Sequence, residues 1–189
     1  MGDAKASRER IFAAATSEFA GHGIAGARID RIAQSAGVNK QLIYAYFGNK
    51  RSLFDAVLAQ AAEHVASSVG AELVDLDSWV DAHIDYHREY PEYMRLLLWE
   101  ALETDAESGR RSEARARLYA EKTAQFALAQ GRGLVRPELP PAHAVMFMMA
   151  VINYPAVMPV LRELLFGDDA DADQVRVWAK DAIRHMVGC

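Results

Sequence analysis

The sequence predicts an all-α protein, and three observations lead to this prediction. Apolar residues recur at spacings of three and four along most of the chain, which places them on one face of a helix. Sustained alternation of apolar and polar residues is missing, and no Asn-Gly or Asp-Gly turn joins two apolar runs. Glycine and proline fall between the periodic segments, where helices end. With 189 residues, 51% of them apolar, the chain is long enough to bury a core.

Nine helices are expected from this pattern. The first has Ile11, Ala15 and Phe19 on one face and should end at the glycines of residues 21–23. Asn49 should cap the fourth helix, and Pro155 should kink the eighth together with Pro159. The expected helices cover residues 8–20, 29–36, 40–47, 50–69, 78–89, 92–106, 112–130, 141–165 and 173–187.

Charge is distributed unevenly along the chain. The formal charge is −5, but residues 1–51 hold eight basic and four acidic residues, a charge of +4, which leaves −9 for residues 52–189. Such asymmetry is typical of a protein with one end that binds nucleic acid. The chain has one cysteine, Cys189, which excludes an intrachain disulfide and a zinc site built on several thiolates.

The second and third helices have the form of a helix-turn-helix, joined at residues 37–39. On the third helix, Ile43 and Phe47 share the inward face, and Lys40, Gln41 and Tyr44 lie on the opposite side. Lysine can bind guanine O6 and N7, glutamine can bind adenine N6 and N7, and tyrosine can pack on thymine methyl groups or bind a phosphate. The alternative from spacing alone is an ordinary solvated helix face.

Two cations stand where the helix dipole disfavours them. Lys50 and Arg51 occupy the first turn of the fourth helix, the positive end of its dipole. Such a violation is often functional, because a bound phosphate would be held by the helix N–H groups and by the lysine together. Two tolerated surface cations are the alternative.

The run from Ile32 to Lys50 resembles the DNA-binding signature of the tetracycline-repressor (TetR) family, through the pattern A-G-V-x-x-x-x-(I/L)-Y-x-(Y/H)-F-x-x-K. The resemblance covers residues 8–58 and implies a DNA-binding domain over residues 1–51. Arg28 departs from the family, which commonly has Ser or Thr there, so a side-chain cap is lost that Asp30 compensates in part. The residues expected to contact DNA are Arg28, Asn39, Lys40, Gln41, Tyr44, Tyr46 and Lys50.

The resemblance also implies that residues 52–189 form a helical ligand-binding and dimerisation domain. The fifth helix supports this, because His83 and His87 lie within an apolar stripe made by Trp79, Tyr86 and Tyr90. The sixth helix has Tyr93, Leu97 and Glu100 on one face, and Glu100 could pair with His83 or His87. Three interpretations stay open: a structural His–Glu pair, a polar cluster that recognises a ligand, and a metal site using the His-x-x-x-His spacing.

The remaining candidate pocket residues are Phe126, Met149 and Asn153, the last two from a methionine-rich eighth helix that could be a pocket wall or simply core. By resemblance, the two C-terminal helices would pair with their copies in a homodimer. The two recognition helices would then reach half-sites about 34–36 Å apart on a pseudo-palindromic operator.

The function expected from these features is a ligand-responsive transcriptional regulator, a repressor released from double-stranded operator DNA by a small, largely apolar effector. An architectural DNA-binding protein without a ligand is the main alternative. An enzyme is disfavoured, because Glu-x-x-His, G-x-S-x-G and P-loop motifs are missing. No cofactor or metal is expected, and the acidic second domain favours a neutral or cationic effector.

A cytoplasmic location is expected as well. The apolar stretch of residues 144–161 reaches the lower length limit of a membrane span, but Pro155 and Pro159 fall inside it and no basic cluster flanks it. A helix buried in a core or between subunits is the preferred interpretation.

Overall fold

The computed structural model describes residues 2–70, 72–103, 113–167 and 172–188, and all regular structure in these ranges is helical. Ten helices follow one another along the described chain. They are α1 (Gly2–Gly26), α2 (Ile29–Ala36), α3 (Lys40–Phe47), α4 (Lys50–Val69), α5 (Leu76–Glu89), α6 (Glu92–Glu103), α7 (Glu113–Gly131), α8 (Pro141–Val157), α9 (Pro159–Phe166) and α10 (Ala172–Val187). The all-α prediction is confirmed. The parts of the expected helices at 104–106 and at residue 112 lie outside the described residues.

The first helix is interrupted where the sequence predicts, within residues 21–23. It runs past residue 20, and its helical geometry breaks at Gly23, whose backbone has φ 67° and ψ −176°. This combination is essentially restricted to glycine, because a Cβ atom would clash with the backbone. A short helical piece that ends at Gly26 follows this kink and is counted with α1.

The eighth expected helix is two helices. The chain leaves helical geometry at Met158, with φ −120° and ψ 56°, and α8 and α9 are bent by 80° relative to each other. Pro159 cannot donate a backbone hydrogen bond into α8 and disfavours helical geometry at the residue before it. Pro155, by contrast, is accommodated inside α8. Of the described helices, none taken singly is long and apolar enough to cross a membrane, and only the bent α8–α9 pair reaches that length and composition.

The chain forms two compact units, Met1–Ala62 with Glu92–Ser112, and Glu63–Pro91 with Glu113–Cys189. The core of the first unit is built on α1, α3 and α4, where Phe19 and Phe54 pack edge to face at 5.2 Å and Phe12 and Phe47 do so at 5.3 Å. α6 also belongs to this unit and packs along α1. These units divide the chain differently from the expected functional boundary at residue 51.

The second unit has its own apolar core, formed by one face each of α5, α7, α8 and α10. Trp79 and Phe126 meet at its centre, with ring centroids 5.5 Å apart, and Met148, Ile152 and Ile183 are buried around them. One face of α8 is buried in this core. Met146 and Tyr154 lie on its other face and are exposed.

An ion-pair ladder joins α5 to α10. Asp77, Asp81 and Asp85, spaced by four residues, pair in turn with Arg184, Lys180 and Arg176, also spaced by four and running in the opposite direction. The Arg184 guanidinium lowers the pKa of Asp77, and that of Arg176 lowers the pKa of Asp85. These ion pairs therefore fix the position of α10 along the polar face of α5.

Candidate nucleic-acid interface and effector site

The turn between α2 and α3 is built by two residues. Gly37 takes the left-handed conformation, φ 63° and ψ 39°, that ends α2, and the Val38 N–H then donates to the Ala33 carbonyl at 3.0 Å. Asn39 caps α3, because its Oδ1 accepts the Gln41 backbone N–H at 3.0 Å. Asn39, expected to contact DNA, thus also holds the start of α3 in place.

One face of α3 is buried and the other is exposed. Ile43 and Phe47 are buried in the first unit, whereas Lys40, Gln41 and Tyr44 are exposed, Tyr44 at 46%. The Lys40 ammonium lies 3.1 Å from Asp30 Oδ1 on α2, and both side chains are largely exposed. Such a pair is weak in water, so Lys40 can exchange Asp30 for another acceptor at little energetic cost.

The start of α2 receives its cap from another helix. Arg28 provides no side-chain cap, as the sequence indicated, but Glu18 of α1 accepts the Arg28 backbone N–H at 2.8 Å and the Arg31 Nε–H at 2.8 Å. Burial acts to raise the pKa of Glu18, and the hydrogen bonds from Arg31 and Arg28 outweigh it and lower that pKa. The Arg28 side chain itself remains exposed.

Lys50 has a structural contact that the sequence did not reveal. Its Nζ donates to the carbonyl oxygens of Ala25 and Ala27, at 3.2 and 3.1 Å, and so closes the connection between α1 and α2. These contacts explain how a lysine is tolerated in the first turn of α4, and they leave one of its three N–H groups for a phosphate. Tyr46 is exposed at 38%, with its ring edge-on to Phe47.

In the second unit, His83 is fully buried and hydrogen-bonded through both ring nitrogens. Nδ1 lies 2.8 Å from the Trp79 carbonyl oxygen, and Nε2 lies 3.0 Å from the Lys122 Nζ. Because a carbonyl oxygen only accepts, Nδ1 carries the proton and Nε2 accepts from the ammonium. Burial, and then the charge of Lys122, lower the pKa of His83 to about 3.

We expect His83 to make the protein sensitive to acid. The unfolded chain protonates this histidine below about pH 6.5, but the folded chain does not, so stability falls as the pH falls from 6.5 towards 3. At pH 5 the loss is about 2 kcal/mol. His83→Gln keeps an acceptor for Lys122 without titrating, so urea unfolding at pH 7.5 and pH 5 should show a smaller loss for this variant than for the wild type. Equal losses in both proteins would contradict the buried neutral histidine.

His87 connects α5 to α8. Its Nε2 donates to Oδ1 of Asn153 at 2.9 Å, and burial lowers the pKa of His87. On the same helix, the Tyr86 hydroxyl lies 3.1 Å from His64 Nδ1, and the Tyr86 and Tyr90 rings stack at 4.8 Å. Burial raises the pKa of Tyr86 to about 12, so its hydroxyl keeps its proton at neutral pH.

The expected effector residues fall into different units. The second unit contains Trp79, His83, Tyr86, His87, Tyr90, Phe126, Met149 and Asn153, whereas Tyr93, Leu97 and Glu100 belong to the first. Both ring nitrogens of His83 are taken by Trp79 and Lys122, so His83 is not the partner of Glu100, and the alternative pairing of Glu100 with His87 stays a prediction. Trp79 and Phe126 are buried in the core of the second unit, and Met149 is only partly buried beside it.

Three residues with specific roles were missed from the sequence: Glu18, His64 and Lys122. A signal for Lys122 was present, because it stands four residues before Phe126 and therefore on the apolar stripe of α7. Glu18 and His64 contact residues 10 to 22 positions away in the sequence, which helical periodicity does not reveal. Within the described residues, no three His, Cys, Asp or Glu side chains come together as a metal site.

Comparison with known sequences matches two family models to separate parts of the chain. Residues 11–57 match the family described as bacterial regulatory proteins, tetR family. Residues 75–185, more than half of the chain, match the family described as tetracyclin repressor-like, C-terminal domain.

Individual relatives cover nearly the whole chain. The HTH-type transcriptional repressor SCO4008 of Streptomyces coelicolor is 42% identical over 186 residues, which are 98% of this chain and 97% of the relative. The HTH-type transcriptional repressor NicS of Pseudomonas putida is 27% identical, over 91% of this chain and 86% of the relative. The crystal structure of SCO4942 from Streptomyces coelicolor superposes with a TM-score of 0.80 at 30% identity, over 96% of this chain and 98% of that one. The chain belongs to the TetR family of helix-turn-helix transcriptional regulators.

Proposed function

We propose that this regulator is a ligand-responsive repressor that binds a pseudo-palindromic operator as a homodimer and is released by a small, largely apolar effector. Residues 1–51 bind DNA, and residues 52–189 bind the effector and form the dimer. Its work is binding rather than catalysis, and because its partner is chromosomal DNA, it acts in the cytoplasm.

The observation that carries the proposal is the exposed face of α3. This face carries the exposed side chains of Lys40, Gln41 and Tyr44. The helix is held in place by the buried Ile43 and Phe47 on its other face and by the Asn39 cap at its start. A rigid helix with exposed donors and acceptors of this kind is suited to contacts with base edges in the major groove. The exposed Arg28 and the remaining N–H of Lys50 are available for phosphates on either side.

The dimer is supported by an apolar surface within the second unit. α8, α9 and α10 surround a groove of about 490 Å³ that we call the C-terminal groove. Its apolar lining includes Tyr154, Met158, Leu165, Phe166 and Trp178. Contiguous exposed apolar surface of this kind is typical of a protein interface, and a second copy of the chain would cover it.

α4 provides a route between effector and DNA, because it is one helix along the chain. It begins after the recognition helix, at Lys50, and reaches the second unit at residue 63. An effector that moved α4 would change the spacing of the two recognition helices, with a coupling of about 1–3 kcal/mol typical of such systems.

The test is selection of duplexes from a random DNA library. We expect the wild type to enrich a pseudo-palindrome, and Gln41→Ala to lose base preference at one position of each half-site, with a change of about 1–3 kcal/mol there. The measurement is the position-by-position preference obtained from the enriched sequences, followed by titration of single-base variants of the operator.

The matched control is Gln60→Ala, the same change at an exposed residue of α4. It should select the same sequence as the wild type. If Gln41→Ala also selected the wild-type sequence with unchanged preference at every position, Gln41 would not be a base-reading residue. If the wild type enriched no sequence at all, the proposed operator binding itself would be wrong.

A further inference from the structure

A second cavity lies inside the second unit, between the end of α4, α5 and α7. Its volume is about 260 Å³, and its wall includes Val69, Trp79, Leu118, Lys122, Gln125 and Phe126. The wall is mostly apolar, with a few polar groups, which is typical of a site for a small organic molecule. The size suits a molecule of one or two rings.

Lys122 is the unusual member of this wall. Its Nζ lies 3.0 Å from His83 Nε2 and 5.1 Å from the centroid of the Trp79 ring. In the described part of the chain, no carboxylate lies within ion-pair distance of this ammonium. Burial lowers the pKa of Lys122 to about 8, so the group is still mainly charged at neutral pH.

The neighbours of Lys122 cannot neutralise its charge. His83 offers only a neutral lone pair, because its Nδ1 proton is committed to the Trp79 carbonyl. The Trp79 ring offers only its electron-rich face. Glu121 also borders the cavity, but it is exposed, and its carboxylate is therefore hydrated. A partly buried cation with such partners is destabilising, and positions of this kind are often kept for a ligand.

We propose that this cavity binds an acidic effector, a small carboxylic acid with an aromatic or otherwise apolar body. Its carboxylate accepts from the Lys122 ammonium, which keeps its hydrogen bond to His83, and its apolar body packs against Trp79 and Phe126. This inference rests on the proposed ligand-responsive function and names the chemical class of the effector. It replaces the neutral or cationic effector expected from the net charge, since the charge nearest the cavity counts more than the average over the domain.

The experiment compares three probes of similar shape and different charge: 1-naphthoate, 1-naphthamide and 1-naphthylmethylammonium. Calorimetric titration at pH 7 should show that the wild type binds naphthoate most tightly. In Lys122→Met, naphthoate affinity should fall roughly 10- to 100-fold, the range for loss of a charged hydrogen bond, and the affinity for naphthamide should stay within a factor of three or so.

The folding of Lys122→Met is checked by its thermal midpoint, which should be close to that of the wild type, because removal of a partly buried charge offsets the lost hydrogen bond to His83. The matched control is Lys5→Met, the same change at a lysine that is 83% exposed. This control should bind naphthoate like the wild type.

The possible outcomes distinguish a failure of the proposed effector site from a failure of the proposed regulatory function. Equal binding of naphthoate to the wild type and to Lys122→Met, or tighter binding of the ammonium probe by the wild type, would overturn the acidic-effector site. If naphthoate bound through Lys122 but left the affinity for the selected operator unchanged, the site would stand and the proposed release from DNA would fail.

Discussion

Replacing Gly23 with alanine is expected to lower the free energy of unfolding of this protein by about 2–5 kcal/mol. The backbone of Gly23 lies at φ 67° and ψ −176°, a region that costs a residue with a Cβ atom about 1–3 kcal/mol. The new methyl group would also overlap Glu103 Oε1 and lie 2.7 Å from Trp99 Cε3. Both contacts are shorter than atoms tolerate, so the side chains of Glu103 and Trp99 would have to move away from the kink in α1.

The consequence should reach DNA binding. Trp99 and Glu103 hold the end of α1, since Glu103 Oε2 accepts the Ala25 N–H at 3.0 Å, and Lys50 binds the carbonyl of the same residue. A shift here would disturb the connection to α2 and thus the helix-turn-helix. Thermal unfolding should show a melting temperature lower by about 5–15 °C, and operator affinity should fall with it.

Gly21→Ala is the matched control for this change. Gly21 lies two residues earlier in the same helix, and an added Cβ would meet no atom within 4 Å. This variant should be as stable as the wild type or more stable by up to about 1 kcal/mol, because alanine favours the helix. A Gly23→Ala protein as stable as Gly21→Ala would show that the kink is not required.

Replacing Trp178 with aspartate is expected to convert the proposed dimer into a monomer. Trp178 is 64% exposed in the chain and lies in the C-terminal groove, where a second copy would bury it. Large aromatic residues at the centre of an interface carry much of its energy, and a buried unpaired carboxylate would oppose association. Light scattering after size-exclusion chromatography should show a mass close to one chain instead of two.

Loss of the dimer should weaken operator binding by at least about 100-fold, because each monomer reaches only one half-site. The control is Val74→Asp, which places the same charge at a residue that is 65% exposed and is not part of the groove. It should remain dimeric with normal DNA affinity. A Trp178→Asp protein that stayed dimeric would exclude the C-terminal groove as the interface.

The helix-turn-helix was predicted well because its structural determinants are local, and the DNA contacts of its residues stay predictions. Gly37 ends α2, Asn39 caps α3, and the spacing of Ile43 and Phe47 decides which side of α3 is buried. Each of these effects acts between residues at most four positions apart, so it can be read from the order of residue types. The roles of Glu18 and Lys50 were not predictable in this way, because their partners lie 10 to 25 residues away.

In the region expected to bind the effector, the helices were predicted from the sequence, but the contacts between their side chains were not. The stripe on α5 correctly placed His83 among apolar residues, but its partner Lys122 is 39 residues away and comes from α7. The sequence suggested Glu100 as a partner of His83 or His87 because its charge was suitable. It gave no information on which side chains lie close together in space. Pro155 and Pro159 predicted a kink in the eighth helix. Only the structure shows that the chain breaks into two helices, α8 and α9, bent by 80°.

Sequence alone therefore established an all-helical chain with a basic helix-turn-helix at one end and an acidic helical domain after it. These properties depend on helical periodicity, caps and charge, all of which act over short distances along the chain. Only the packed structure decided which polar residues meet. Asp77, Asp81 and Asp85 are spaced to form a ladder, but only the packing of α5 against α10 shows that Arg184, Lys180 and Arg176 complete it. The packing of α5 and α7 likewise places the partly buried Lys122 beside a neutral histidine. Contacts of this kind depend on the packing of the whole core and not on neighbouring residues in the sequence.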